Sequence, residues 1–167
     1  MTKAFKVSVS KDSIVFASAH FITLPGHRCE ALHGHNYRAR VAVEGGLDPE
    51  THYVVDFAEL QQLMKRLTDR IDHKVLLPLQ NPKLHVAEQG DAITVAYEGK
   101  LRYQFPKADC ALLPIPNTTV ELLAQYLAGC LRAELGRAGG SAVELHAMEV
   151  EVEENFGQSA TYRESLV

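Results

Sequence analysis

His33-Gly34-His35-Asn36-Tyr37-Arg38-Ala39-Arg40-Val41-Ala42-Val43-Glu44 reads as a β-strand. His33, His35, Tyr37, Ala39, Val41 and Val43 share one parity; Asn36, Arg38, Arg40 and Glu44 share the other. Side chains of a strand alternate between faces, so the two histidines continue the more apolar face. Gly45-Gly46 ends the run. Upstream, His20 closes another β-favouring segment and is able to supply a third nitrogen across a hairpin. Three neutral imidazoles without a fourth protein ligand describe a catalytic zinc site, which keeps one position open. A nitrogen-rich, sulfur-poor set favours Zn²⁺ over softer metals. Alone, His-Gly-His is a weak signal, and a single histidine is more often a surface or core residue. Cys29 likewise reads alone as a small buried hydrophobe.

The 167 residues suffice for one domain with a core, and 46% apolar with 23% charged residues is ordinary for a globular protein. No apolar run approaches membrane-spanning length and the N-terminus lacks a signal-peptide pattern, so cytoplasm is the expected location. Three widely spaced cysteines argue against a disulfide framework. The net charge of -4, with no basic stretch interleaved with aromatics, argues against nucleic acid as a partner.

Outward from the central strand, residues 5–20 predict one long strand bulged near Lys11-Asp12-Ser13, and 21–32 predict a loop around Pro25-Gly26. A short β run, Tyr53-Val54-Val55, precedes a helix capped by Asp56, with Glu59 completing a capping box. Phe57, Leu60, Met64, Leu67 and Ile71 form its apolar stripe, and it ends near 70–72, delivering Asp72-His73. Residues 79–116 read as a β-rich excursion bracketed by prolines, with strands at Leu84–Glu88, Ala92–Tyr97 and Lys100–Phe105. A second helix starts at Thr118, with Glu121 as box partner; Gly136 and Gly139-Gly140 end it. The last strands are Ala142–Glu154 and Ala160–Arg163. Parity puts Glu154 on the apolar face with Met148, Val150 and Val152, and Glu149, Glu151 and Glu153 on the other. A carboxylate on that face needs a partner. Two hairpins and two helices predict an α+β architecture, an antiparallel sheet with helices on one face.

Four features together resemble the 6-pyruvoyl-tetrahydropterin synthase and 6-carboxytetrahydropterin synthase family. They are His20 with Cys29-Glu30-Ala31-Leu32-His33-Gly34-His35-Asn36-Tyr37; Val55-Asp56-Phe57-Ala58-Glu59-Leu60; Asp72-His73-Lys74-Val75-Leu76; and Asn117-Thr118-Thr119-Val120-Glu121 with Glu153-Glu154 and Tyr162-Arg163. The resemblance implies the tunnelling fold, a four-stranded antiparallel sheet with two helices on one face, here a single domain over 1–167 with 79–116 inserted. It also implies a homo-oligomer, a trimer or a dimer of trimers, with active sites between subunits. Joining sheets into a barrel removes exposed edges.

The resemblance further implies roles. His20, His33 and His35 match the zinc ligands. Cys29 matches the catalytic cysteine, and Asp72 and His73 the pair that works with it. Glu154 matches the residue that holds the pterin ring, with Thr119 as a further contact. The expected substrate is 7,8-dihydroneopterin triphosphate. The spacing Cys29-x-x-x-His33-Gly-His35 is similar to that of the 6-carboxy group, whose product feeds queuosine synthesis. The alternatives are a 6-pyruvoyl product, a non-catalytic pterin- or purine-binding member of the fold, or a zinc hydrolase on another substrate. The catalytic reading expects a Cys29 thiol lowered by metal or a cationic neighbour. Arg28 and Lys74 are candidates to meet the triphosphate; His27, His52, His85 and His146 read as structural or solvated, and Cys110 and Cys130 as buried small hydrophobes. Two features depart from the family pattern: the long excursion, expected to lie peripheral to the metal site, and Asn155, where many members have threonine.

Overall fold

The computed structural model describes residues 4–9, 11–137 and 143–167. In chain order the elements are β1 (Phe5–Val9), β2 (Val15–His20), β3 (Thr23–Leu24), β4 (Arg28–Cys29), β5 (His33–Gly45), α1 (Phe57–Asp69), β6 (Lys74–Pro78), β7 (Leu84–Gln89), β8 (Ala92–Tyr97), β9 (Lys100–Pro106), β10 (Cys110–Leu113), α2 (Val120–Arg137), β11 (Leu145–Asn155) and β12 (Gln158–Ser165).

The expected four-stranded antiparallel sheet is present but is only part of what forms. A seven-stranded mixed sheet runs β10-β6-β2-β5-β11-β12, with β1 also on β5. Strands β6 and β10 extend it in parallel, Val75 pairing with Cys110 and Ala19 with Val75. These were hidden in sequence because buried parallel strands are short continuous apolar runs without alternation. The predicted long first strand is two strands: a 3₁₀ turn at Lys11–Ser13 separates β1, on Val41–Gly45, from β2, on His33–Arg38. Tyr53–Val55 form a bend, not a strand, and the 21–32 loop contains the β3–β4 hairpin.

The parity of β5 is borne out. Tyr37, Ala39, Val41 and Val43 are fully buried under the helices. From α1 come Leu60, Leu63, Met64 and Leu67; from α2, Leu123, Leu127 and Leu131. Burying each of these large aliphatic side chains contributes ~1.5–3 kcal/mol. Asp56 caps α1 as expected, accepting from the amides of Ala58 and Glu59. Helix α2 starts later than Thr118, at Val120, because the Thr118 hydroxyl is used elsewhere, donating to Phe21 O at 2.9 Å. It runs through Gly136 to Arg137; Gly139-Gly140 and Ala142 lie outside the described residues.

The other sheet face carries crossed charges. Arg38 pairs with Glu153, Arg40 approaches Glu151 at 3.9 Å, and Arg163 bridges Glu44 and Glu149 at 2.7 and 2.6 Å. The excursion forms its own three-stranded sheet, β7-β8-β9. Its inner face (Leu84, Val86, Ile93, Val95, Tyr103, Phe105) packs with Phe21, Leu77 and Cys29 in a second apolar cluster. The sheet therefore shares a core with the Cys29 hairpin.

Candidate metal centre and active site

Three strands converge on one point. His20 ends β2 and pairs with His33 at the start of β5, and His35 lies two residues on. The ring centroids of His20, His33 and His35 are 4.7, 4.9 and 5.2 Å apart. Gly34 stands between His33 and His35 where β2 passes close by; a Cβ there would lie 3.2 Å from Ser18 O.

The tautomers are fixed by carbonyls, which can only accept. His20 donates from Nδ1 to Thr118 O at 2.9 Å, and His33 from Nδ1 to Ala31 O at 2.9 Å. Each ring is left with an Nε2 lone pair. The Nε2 atoms of His20 and His35 are buried without a hydrogen bond among the described residues. A buried polar atom lacking a partner is costly, and a cation placed between these atoms satisfies both. Glu154 joins the cluster, Oε1 lying 2.9 Å from His35 Nε2 and 3.9 Å from His20 Nε2. One ligand atom from each of the four residues lies within 4.8 Å of the others, so the cluster could hold a metal ion. Burial, more than the neighbouring charges, lowers the His20 imidazole below its ordinary range, which favours the neutral form a metal requires.

Glu154 reaches the cluster through a β-bulge. Glu153 pairs with Ser159 and Asn155 with Gln158, leaving Glu154 as the extra residue. Such bulges re-aim side chains at strand ends. Beyond it, Phe156 is exposed and the Arg38 guanidinium lies 4.6 Å from its ring centroid. A cavity of about 370 Å³ opens between Val15, Gly34, His35, Arg38, Glu154 and Phe156.

Asp72 and His73 form a second constellation. Asp72 Oδ1 accepts from the Ala17 amide at 2.8 Å and lies 2.9 Å from His73 Nδ1. The Ala17 amide first, and His73 as well, hold the Asp72 carboxyl below its usual range. His73 adopts a left-handed backbone, φ 55°, and donates its amide to Ala17 O at 2.6 Å. Its exposed ring and His35 line one groove of about 470 Å³, with Ser18, Asn36, Lys74 and Asp109.

Cys29 lines neither of these cavities. It is half-buried at the end of β4, in the layer shared with the excursion. Burial pushes its thiol up in the metal-free chain, and the Arg102 charge, a cationic neighbour, opposes this. Glu30, the only carboxylate between Phe21 and Leu32, lies beside it. Arg28 and Lys74 are turned to backbone carbonyls, Arg28 to Pro25 and Lys74 to Ala108. Thr119 contributes its carbonyl to the first turn of α2. The sequence reading missed Thr118, whose carbonyl orients His20, and Arg102, which donates to the Cys29 and Glu30 carbonyls. Thr118 gave a signal only as a cap; Arg102 gave none, because nothing in a strand pattern marks a bulge.

No helix among the described residues is long and apolar enough to cross a membrane. The chain is 35% identical over 152 residues to a Methanocaldococcus jannaschii protein provisionally named 6-carboxy-5,6,7,8-tetrahydropterin synthase, covering 90% of each. It is 28% identical to the 6-carboxy-5,6,7,8-tetrahydropterin synthase of Aquifex aeolicus over 84% of this chain and 78% of that one. Among solved structures, a Plasmodium vivax 6-pyruvoyltetrahydropterin synthase with a catalytic glutamate replaced by alanine superposes with a TM-score of 0.90 at 28% identity, covering 99% of this chain and 100% of that one. The family model for 6-pyruvoyl tetrahydropterin synthase matches residues 8–165, and the chain belongs to that family.

Proposed function

We propose that this protein is a zinc-dependent lyase. It converts 7,8-dihydroneopterin triphosphate to 6-carboxy-5,6,7,8-tetrahydropterin with loss of triphosphate and acetaldehyde. The carrying observation is the convergence of His20, His33, His35 and Glu154, with two buried Nε2 atoms left without hydrogen bonds. The 6-carboxy product is supported by the names of the Methanocaldococcus and Aquifex relatives.

In this reading the three histidines hold Zn²⁺, which supplies Lewis-acid polarisation of the substrate's side-chain oxygens when bound. Glu154 accepts hydrogen bonds from the pterin ring, and the adjoining cavity has room for a small bicyclic ligand. Thr119, at the mouth of α2, is a further ring contact. Cys29 carries a proton at the substrate side chain, and His73, oriented by Asp72, relays it. We read the site as completed between copies of a homo-oligomer, a trimer or a dimer of trimers. One domain spanning 1–167 carries this machinery.

A second reading is the 6-pyruvoyl product. It is favoured by the solved 6-pyruvoyl synthase that matches this chain over its full length, excursion included, and has a catalytic glutamate. Glu30 is the loop carboxylate available for that role. Incubating the zinc-loaded protein with 7,8-dihydroneopterin triphosphate and resolving products by mass spectrometry separates the readings. Appearance of 6-carboxytetrahydropterin with acetaldehyde supports the first; a 6-pyruvoyl product replaces it with the second. No turnover by zinc-loaded protein removes both.

A further inference from the structure

Arg102 occupies the extra position of a β-bulge. Val95 pairs with Tyr103 and Ala96 with Leu101, leaving Arg102 opposite no residue of β8. In a regular strand consecutive side chains leave on opposite faces, so Arg102 and Tyr103 would not reach the same segment. The bulge brings both to one place. Arg102 donates from Nη2 to Glu30 O at 2.8 Å and to Cys29 O at 3.2 Å. The Tyr103 hydroxyl accepts from the Leu32 amide at 3.1 Å, while its ring packs on Phe21. Three backbone groups of the Cys29–Leu32 segment are therefore held by two adjacent side chains of the excursion. The next residue is His33, whose Nδ1 donates to Ala31 O. A continuous hydrogen-bonded path thus runs from the β9 bulge, through the loop, to an imidazole of the metal cluster.

We propose that the β7–β9 sheet is the scaffold of the Cys29–Leu32 loop, and that Arg102 is a positioning residue that fixes the backbone from which the Cys29 thiol extends. A guanidinium suits the task, because its Nη2 carries two N–H groups and donates to both successive carbonyls. Its charge also opposes the upward push of burial on the thiol. The excursion is then part of the active-site support and not peripheral to it. The catalytic consequence rests on the pterin-synthase reading; the structural one does not.

The test compares full-length, zinc-loaded wild type with Arg102→Ala, Arg102→Lys, Tyr103→Phe and, as control, Leu101→Ala, whose side chain is exposed at the neighbouring position. Three quantities are measured: bound zinc, kcat and KM for 7,8-dihydroneopterin triphosphate, and hydrogen exchange of peptides covering residues 29–33. Misplacing a reacting group by about 1 Å costs on the order of 10²-fold, so Arg102→Ala loses kcat on that scale with KM little changed. Zinc stays stoichiometric, and exchange in 29–33 accelerates by about tenfold or more. Arg102→Lys recovers part of kcat, because an ammonium keeps charge and donors but not the reach and planar rigidity of the guanidinium. Tyr103→Phe accelerates exchange without changing charge, and Leu101→Ala matches wild type. If Arg102→Ala does not fold, Arg102→Lys and Tyr103→Phe carry the test through the same readouts. Wild-type exchange in the Arg102 and Tyr103 variants overturns the scaffold; wild-type kcat with accelerated exchange overturns the positioning role. An inactive wild type instead removes the pterin-synthase reading, and with it the positioning role, while exchange still decides the scaffold.

Discussion

Nε2 of His35 lies 2.9 Å from Oε1 of Glu154, yet His35 Nε2 makes no hydrogen bond among the described residues. Their approach has the distance of a hydrogen bond but not its direction, as when two donors of electron pairs share one electrophile. A metal that binds the folded chain and not the unfolded one stabilises it by about 4 kcal/mol at a thousandfold excess over Kd. Zinc is therefore expected to raise the melting temperature of chelator-treated protein by several degrees, and His35→Ala to abolish the rise. A zinc-independent melting temperature in the wild type would dispose of the metal centre.

The second prediction concerns what Glu154 does. Three imidazoles suffice for an open zinc site. Glu154→Gln is thus expected to keep one zinc per chain while weakening pterin binding by ~2 kcal/mol, the worth of a charge-assisted hydrogen bond. Metal content by mass spectrometry and pterin titration by fluorescence read the two effects separately. Loss of zinc with pterin affinity retained would make Glu154 a ligand instead of a ring anchor.

A third prediction follows from the burial of His20. Its imidazole is lowered from the ordinary 6.5, chiefly by desolvation. Below 6.5 and above the folded value, the unfolded chain holds a proton that the folded chain does not. The His20 contribution is therefore complete above 6.5 and is lost as pH falls through that window, with a slope of at most ~1.4 kcal/mol per pH unit. Urea denaturation of the metal-free protein between pH 7.5 and 5 measures it, with His20→Gln as reference. Equal pH slopes for the two proteins would contradict a depressed imidazole.

How far the sequence revealed this arrangement depended on whether the chain followed a period. His33 and His35 were found because β5 alternates over residues 35–41 and carries Tyr37, Ala39 and Val41 on the same face. The parity of Glu154 was correct for the same reason, although the bulge that aims it was not visible. Arg102 was invisible because a bulge changes the period by one residue and has no composition of its own. Strands β6 and β10 escaped notice because Lys74–Pro78 and Cys110–Leu113 are too short and too evenly apolar to show alternation. The surroundings of Cys29 were not legible because Phe21, Tyr103, Val95 and Arg102 are brought to it only by tertiary packing.

Gly34 gives a fourth prediction. A Cβ at this position would lie 3.2 Å from Ser18 O and 3.7 Å from the Cα of Ala19, both backbone atoms of the strand that carries His20. Relief requires β2 to move by a few tenths of an ångström, displacing His20 relative to His33 and His35. Gly34→Ala is expected to cost ~1–3 kcal/mol of stability, the usual range for overpacking, and to weaken zinc binding as well. Denaturation and competitive zinc titration test this; unchanged zinc affinity would show that the β2–β5 spacing does not govern the site.

His73 gives the last. It is held at φ 55°, a conformation that costs an L-residue about 1–2 kcal/mol and that glycine adopts freely. Its ring is exposed in the groove that also holds His35, and Asp72 fixes its orientation from 2.9 Å. An exposed side chain adds little to stability, so the fold gains nothing from a histidine here that glycine would not supply more easily. His73→Gly is accordingly expected to match or exceed the wild type in resistance to urea while losing on the order of 10²-fold or more in kcat, the worth of a positioned proton relay. His73→Asn, which tolerates the left-handed backbone without an imidazole, is expected to lose the same activity at near wild-type stability. A variant that kept its activity would remove His73 from the chemistry and leave its strained backbone as a device for turning the chain from α1 into β6.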